Sequence, residues 1–227
     1  MRGIPAASRS RWTGPILIFA LAAAGSSGPA GCGVRPEPPM EIAASPAAGG
    51  TVALVAPRPT DPAPRDAPGI HNLVAFHDGV ISGSVPDGGA GFGSLEALGV
   101  RTVVSVDGAV PDVASARARG LRYIHLPIGY DGFDEERRMQ LTRAVLDGLS
   151  DGAVYIHCHH GVHRSAGAAA AVAVGAGWST PEAGIERMRV SGTSPRYAGL
   201  FRCVERSTRL DSERLEAVET DFPEVDR

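Results

Sequence analysis

Between residues 70 and 206 the apolar positions alternate between two rhythms, short near-continuous runs and longer runs with helical spacing. Leu73–Phe76, Val80–Ser84, Val100–Val106, Leu121–Leu126 and Ala153–His157 are short and rich in Val, Ile and Leu, and read as strands. The first two flank Asp78-Gly79, a dipeptide suited to a tight hairpin. Phe92–Leu98 and Val110–Arg119 read as helices ended by Gly99 and Gly120. Asp134–Leu149 carries Met139, Leu141, Val145, Leu146 and Leu149 as an apolar stripe. Arg164–Gly175 is small and apolar on all sides, which predicts a buried central helix, and Pro181–Val190 and Pro195–Glu205 complete the set. Strands alternating with helices predict an α/β fold, a three-layer sandwich around a central, mostly parallel sheet. Ligands bind such sheets at strand C-terminal ends, and Cys158 falls at one.

Outside this domain the rhythm is lost. Arg9 and Arg11 lead a short apolar core, Ile16–Ala24, and then small and polar residues, which predicts a signal peptide over 1–31 rather than a bilayer-spanning helix. Ala22-Ala23-Ala24 suits an ordinary signal peptidase, whereas Cys32 after Ala30-Gly31 suits lipidation and membrane attachment. Both sites imply an exported protein of the cell envelope. Residues 32–69 have nine prolines between Arg35 and Pro68 and no helical period, so an extended tether is expected, with Thr51–Ala56 as a brief apolar interruption. Residues 207–227 are charged and mostly acidic; Leu210, Leu215 and Val218 are spaced for a weak amphipathic helix, expected to be solvated. All the basic residues are arginine, and a net charge of −3 with few aromatic residues argues against nucleic-acid binding.

The chemistry concentrates in His157-Cys158-His159-His160-Gly161-Val162-His163-Arg164-Ser165, between a strand and the small-residue helix. A loop of successive backbone N–H groups turning into a helix N-terminus forms a concave anion site. Cys158 at its mouth is placed as a nucleophile whose thiolate the same field favours. Arg164 presents a planar fork that can hold two phosphoryl oxygens at once. Gly161 allows the tight turn, Ser165 is placed to donate to the sulfur, and His157 at the strand end is placed to orient the loop. The residues between Cys158 and Arg164, namely His159, His160, Gly161, Val162 and His163, are the expected substrate-binding backbone.

This stretch resembles the His-Cys-x5-Arg-Ser/Thr signature of the cysteine-dependent protein phosphatases, and from His71 to Cys203 the order of elements resembles their compact dual-specificity branch, including its bacterial members. The resemblance implies hydrolysis of phosphomonoesters, on phosphotyrosine or phosphoserine/threonine in proteins or on small phosphomonoesters, through a phosphocysteine intermediate and without a cofactor. It also implies an aspartate acid on a separate loop. Asp131, in the Pro127–Asp134 segment after a strand, is the first candidate; Asp134 reads better as a helix N-cap, and Asp107 as a turn with Gly108. His160 departs from the alanine usual there. Phosphoinositide phosphatases of the superfamily often carry lysines one and four residues after the cysteine, where this chain has His159 and Val162.

Three other readings stay open at this level. The first is a phosphate-binding module without catalysis, and the second a sulfurtransferase with a persulfide on Cys158. The third is a metal site built from the crowded histidines, although adjacent side chains diverge and no closed zinc site is expected from one run. Cys203 reads as a small core residue, with a Cys158–Cys203 disulfide as a minor alternative.

Overall fold

The computed structural model describes residues 53–219 and 222. The expected signal peptide, Cys32 and the tether up to residue 52 lie outside the described residues, as do 220, 221 and 223–227.

The strands are β1 (Arg65–Ala67), β2 (Ile70–His77), β3 (Val80–Ser84), β4 (Val100–Ser105), β5 (Arg122–His125) and β6 (Ala153–Cys158). The helices are α1 (Gly88–Ala97), α2 (Val113–Arg117), α3 (Glu135–Leu149), α4 (Arg164–Gly175), α5 (Pro181–Val190), α6 (Ala198–Glu205) and α7 (Ser212–Glu216). The six strands form one sheet in the order β1-β2-β3-β6-β4-β5. β3, β6, β4 and β5 run parallel, and β1 and β2 add antiparallel at one edge. β6 therefore lies in the middle, with a paired strand on either side.

Period-two alternation builds the three layers. Val104, Ile124, Val154 and Ile156 face a core closed by α3, α4, α5 and α6. Ile81, Val103, Tyr123 and Tyr155 face the opposite core, closed by α1 and α2. In α4 every residue from Ser165 to Gly175 is buried. Its small side chains let the sheet on one side and α3, α5 and α6 on the other approach it closely.

Several boundaries differ from the sequence expectation. The tether does not run to residue 69, because Arg65–Ala67 pairs with β2 as an edge strand. Leu54 packs on the α1/α2 core, and Arg187 Nη1 donates to Asp61 O at 2.6 Å. A proline-rich stretch without its own core can still dock along a sheet edge. Within Thr51–Ala56, the described residues 53–56 are not strand. α2 begins only at Val113, after Pro111, with Asp112 as its N-cap. The C-terminal stretch is not simply solvated: Leu210, Leu215 and Phe222 are buried, and α7 packs on α3, so the folded domain continues past 206.

Candidate active site

β6 delivers Cys158 to the C-terminal edge of the sheet with its side chain only 2% exposed. The chain then turns back into α4. Gly161 makes that turn at φ +72°, and a methyl group there would overlap the Gly83–Ser84 backbone at the end of β3, so glycine is required twice over. Three loop carbonyls are held from outside. Val85 N donates to His159 O at 3.2 Å, Asn72 Nδ2 to Gly161 O at 2.9 Å, and Thr193 Oγ1 to Val162 O at 2.6 Å. Asp134 and Thr180 cap α3 and α5 through their side chains, but no side chain caps α4. Among the described residues, the backbone N–H groups from His160 to His163 donate to no protein acceptor. A row of unspent donors at an uncapped helix start is an anion nest.

Two side chains complete the nest. Ser165 Oγ lies 3.4 Å from Cys158 Sγ. Arg164 Nη2 donates to Asp107 Oδ1 at 2.9 Å, with the two side chains 12% and 11% exposed. Burial alone would raise the Asp107 pKa; the Arg164 charge and the N–H groups of Ala109 and Gly108 outweigh it and hold the carboxyl below its ordinary value. The Arg164 guanidinium also lies over the Tyr130 ring, 4.6 Å from its centroid. Arg164 Nε is buried and donates to no protein acceptor. The arginine is thus fixed on two sides, with one donor edge left for an oxyanion.

Aromatic side chains form the rim. Tyr130 stacks on Tyr197 at 4.6 Å, and His163 packs against Tyr197 at 4.5 Å. His163 Nδ1 accepts from Ser194 N at 3.4 Å, and burial, then the nearby Arg196, His160 and Arg164, lowers its pKa. His159 and His160 are exposed and meet edge to face. Among the described residues no group of three His, Cys, Asp or Glu side chains is gathered to hold a metal ion.

Behind the loop, His157 is fully buried and its Nε2 meets the Tyr123 hydroxyl. Burial pushes its pKa down to about 4; the Cys158 backbone and Asp107 pull the other way, and His125 adds to the fall. The imidazole is neutral at pH 7. Tyr123, its own pKa raised by burial, keeps its phenol proton at the same pH.

The three acid candidates occupy different settings. Asp134 Oδ1 accepts from Arg137 N at 2.8 Å as the N-cap of α3. Asp107 is ionised against Arg164 and so has no proton to give; its turn bond to Ala109 N, at 3.4 Å, is present as well. Asp131 is exposed, and its carboxylate folds back beside Gly129. Its loop is docked on α6, where any side chain at Gly199 would overlap the Asp131 backbone. Cys203 Sγ accepts from Phe133 N at 3.2 Å and donates to Phe133 O at 3.3 Å. Tyr130 places this loop against Arg164, while Asp131 itself makes no hydrogen bond or ion pair with Cys158 or Arg164. Cys158 and Cys203 are both free thiols.

Asn72, Thr193, Tyr123, Tyr130 and Tyr197 were not legible as site residues in the sequence. Isolated polar residues and scattered tyrosines carry no local pattern; only their partners, up to 119 positions away, give them a role.

No family model and no curated protein matches the sequence. Solved structures do. The crystal structure of TpbA from P. aeruginosa superposes with a TM-score of 0.55 at 24% identity, over 67% of this chain and 92% of that one. A cysteine-to-serine variant of TpbA in complex with phosphotyrosine gives 0.53 at 23% identity, over 63% and 87%. The core catalytic domain of the PP-IP phosphatase SIW14 from S. cerevisiae gives 0.51 at 15% identity, over 72% and 91%. The central parallel strands, the buried cysteine at the end of β6 and these superpositions agree: the chain has the fold of the cysteine-dependent protein tyrosine and dual-specificity phosphatases.

Proposed function

We propose that the chain hydrolyses phosphomonoesters on protein side chains through a phosphocysteine intermediate. The observation that carries this reading is the Cys158 sulfur buried at the base of a loop whose N–H groups are unspent, beside Ser165 and Arg164. The Cys158 thiolate attacks phosphorus in line with the ester P–O bond. As that bond breaks, Asp131, its side chain swung from Gly129 toward the cradle, protonates the departing oxygen. The loop N–H groups and the free edge of Arg164 hold the equatorial oxygens as charge builds on them. Water, losing its proton to the Asp131 carboxylate, then attacks the phosphocysteine. The S–P bond breaks, inorganic phosphate leaves, and Ser165 donates to the returning thiolate.

The neighbours differ in substrate: TpbA is crystallised with phosphotyrosine, and SIW14 is a PP-IP phosphatase. The rim supports the first chemistry here. Tyr130 and Tyr197 offer a flat wall beside Arg164 for an aryl ester. His159 and Val162, one and four residues after Cys158, add no lysine for a highly anionic head group.

The test is the full-length chain on phosphotyrosine and phosphoserine peptides, as wild type and as Cys158→Ser. Wild type should turn over both, with kcat/KM about tenfold higher for phosphotyrosine, the size of one aromatic contact. Cys158→Ser should be inactive yet still bind tungstate, because the amides and Arg164 remain. Undiminished turnover in that variant removes the covalent mechanism, and equal kcat/KM on the two peptides removes the aryl preference.

A further inference from the structure

Asn72 is the one described non-glycine residue with positive φ, at +60°. A polar residue in the left-handed region inside a strand is uncommon, and asparagine tolerates it better than most. Its backbone N donates to Asp66 Oδ1 at 2.9 Å, which fixes it on the edge strand β1. Its side chain crosses to the cradle, where Nδ2 donates to Gly161 O at 2.9 Å and to Ser191 O, just past α5, at 3.1 Å. The register of β1 against β2 shifts here, with His71 and Asn72 set against Asp66, and this irregularity accommodates the conformation.

The consequence lies in the peptide planes of the loop. A trans peptide is planar, so its C=O and the following N–H point in opposite directions. Asn72 draws the Gly161 carbonyl outward and thereby turns the Val162 N–H inward. Thr193, buried, does the same to the next plane through Val162 O at 2.6 Å and turns the His163 N–H inward. Val85 N on His159 O at 3.2 Å sets the His160 N–H in the same way. Alternate orientations of these planes would cost little in a loop with a glycine at its centre, so the inward set needs external ties.

We propose that Asn72 is a positioning residue of the oxyanion cradle, acting with Thr193 to aim the Val162 and His163 N–H groups at the bound anion. This rests on the reading of the loop as an oxyanion site, and it assigns the work of holding that site to two residues outside the Cys158–Ser165 stretch.

The experiment measures tungstate affinity of the full-length chain by calorimetry, a readout that needs no turnover. Asn72→Gly keeps positive φ free of strain and removes only the amide. It is expected to melt within a few degrees of wild type and to bind tungstate about tenfold more weakly, the effect of one misdirected hydrogen bond to a charged group. Thr193→Val removes the hydroxyl in nearly the same shape and should show a similar loss, whereas Thr193→Ser should restore wild-type affinity. If Asn72→Gly fails to fold, the Thr193 pair decides alone. Tungstate affinities within twofold of wild type in folded Asn72→Gly, or equal in Thr193→Val and Thr193→Ser, overturn the proposal. A wild-type chain that does not bind tungstate overturns the cradle reading itself, which separates the two failures.

Discussion

Lowering the pH from 7.5 to 4 protonates an ordinary histidine in the unfolded chain near pH 6.5, but His157 in the folded chain takes up its proton only near pH 4. Through that window the unfolded state binds one more proton than the folded state. Stability therefore falls as pH falls, by about 1.36 kcal/mol for each pH unit, and levels off below pH 4. From 6.5 to 4 this amounts to about 3 kcal/mol, a large share of the 5–15 kcal/mol typical of a domain. The cause is burial, with His125 adding to it, only partly offset by the Cys158 backbone and the Asp107 carboxylate. The assay is urea unfolding of the full-length chain, wild type and His157→Gln, at half-unit steps from pH 7.5 to 4. Glutamine keeps a polar group opposite Tyr123 and does not titrate. Its absolute stability is immaterial, because only the change in the difference with pH is read. Wild type should lose about 3 kcal/mol relative to the variant, while groups common to both cancel. Parallel curves would refute the reasoning, since they would mean that His157 accepts its proton in the fold and is not held neutral behind the cradle.

Two further outcomes concern the chemistry. Arg164→Lys should cost about 10²–10³-fold in kcat on an aryl phosphate, because a lysine ammonium cannot hold both Asp107 and two phosphoryl oxygens; steady-state kinetics with most of the activity retained would contradict that geometry. Asp131→Ala should lose about 10²–10⁴-fold on phenyl phosphate and much less on a nitrophenyl ester, whose oxygen leaves without a proton; equal losses on the two esters would move the acid away from Asp131.

Much of the fold follows from local pattern. The hairpin at Asp78-Gly79, the Asp134 cap, and the limits of α4 and α5 all follow from spacing and capping residues, whose effects act within one or two turns of chain. The same holds for the centre of the site: Cys158, Gly161, Arg164 and Ser165 lie within eight consecutive residues, so a strand, a turn and a helix are enough to bring them together. The small, apolar and alanine-rich character of α4 likewise announced a helix buried on every side.

Tertiary structure decided what depends on distant partners. Asp107 reads locally as a turn residue, and only the parallel pairing of β4 with β6 brings it to Arg164, 57 positions away. Asn72 lies just ahead of the apolar run Leu73–Phe76 and carries no local signal; the sheet order places β2, which includes it, near the loop after β6. Arg65–Ala67, flanked by Pro64 and Pro68, has no reason of its own to be a strand and becomes one because β2 offers it an open edge. The sequence by itself thus determined the place of Cys158, Arg164 and Ser165 and the loop between them, because their geometry is set by neighbouring backbone. The tertiary structure determined how that loop is held, which face of Arg164 stays free and what lines its rim, because each of these is a contact between segments that the chain keeps far apart.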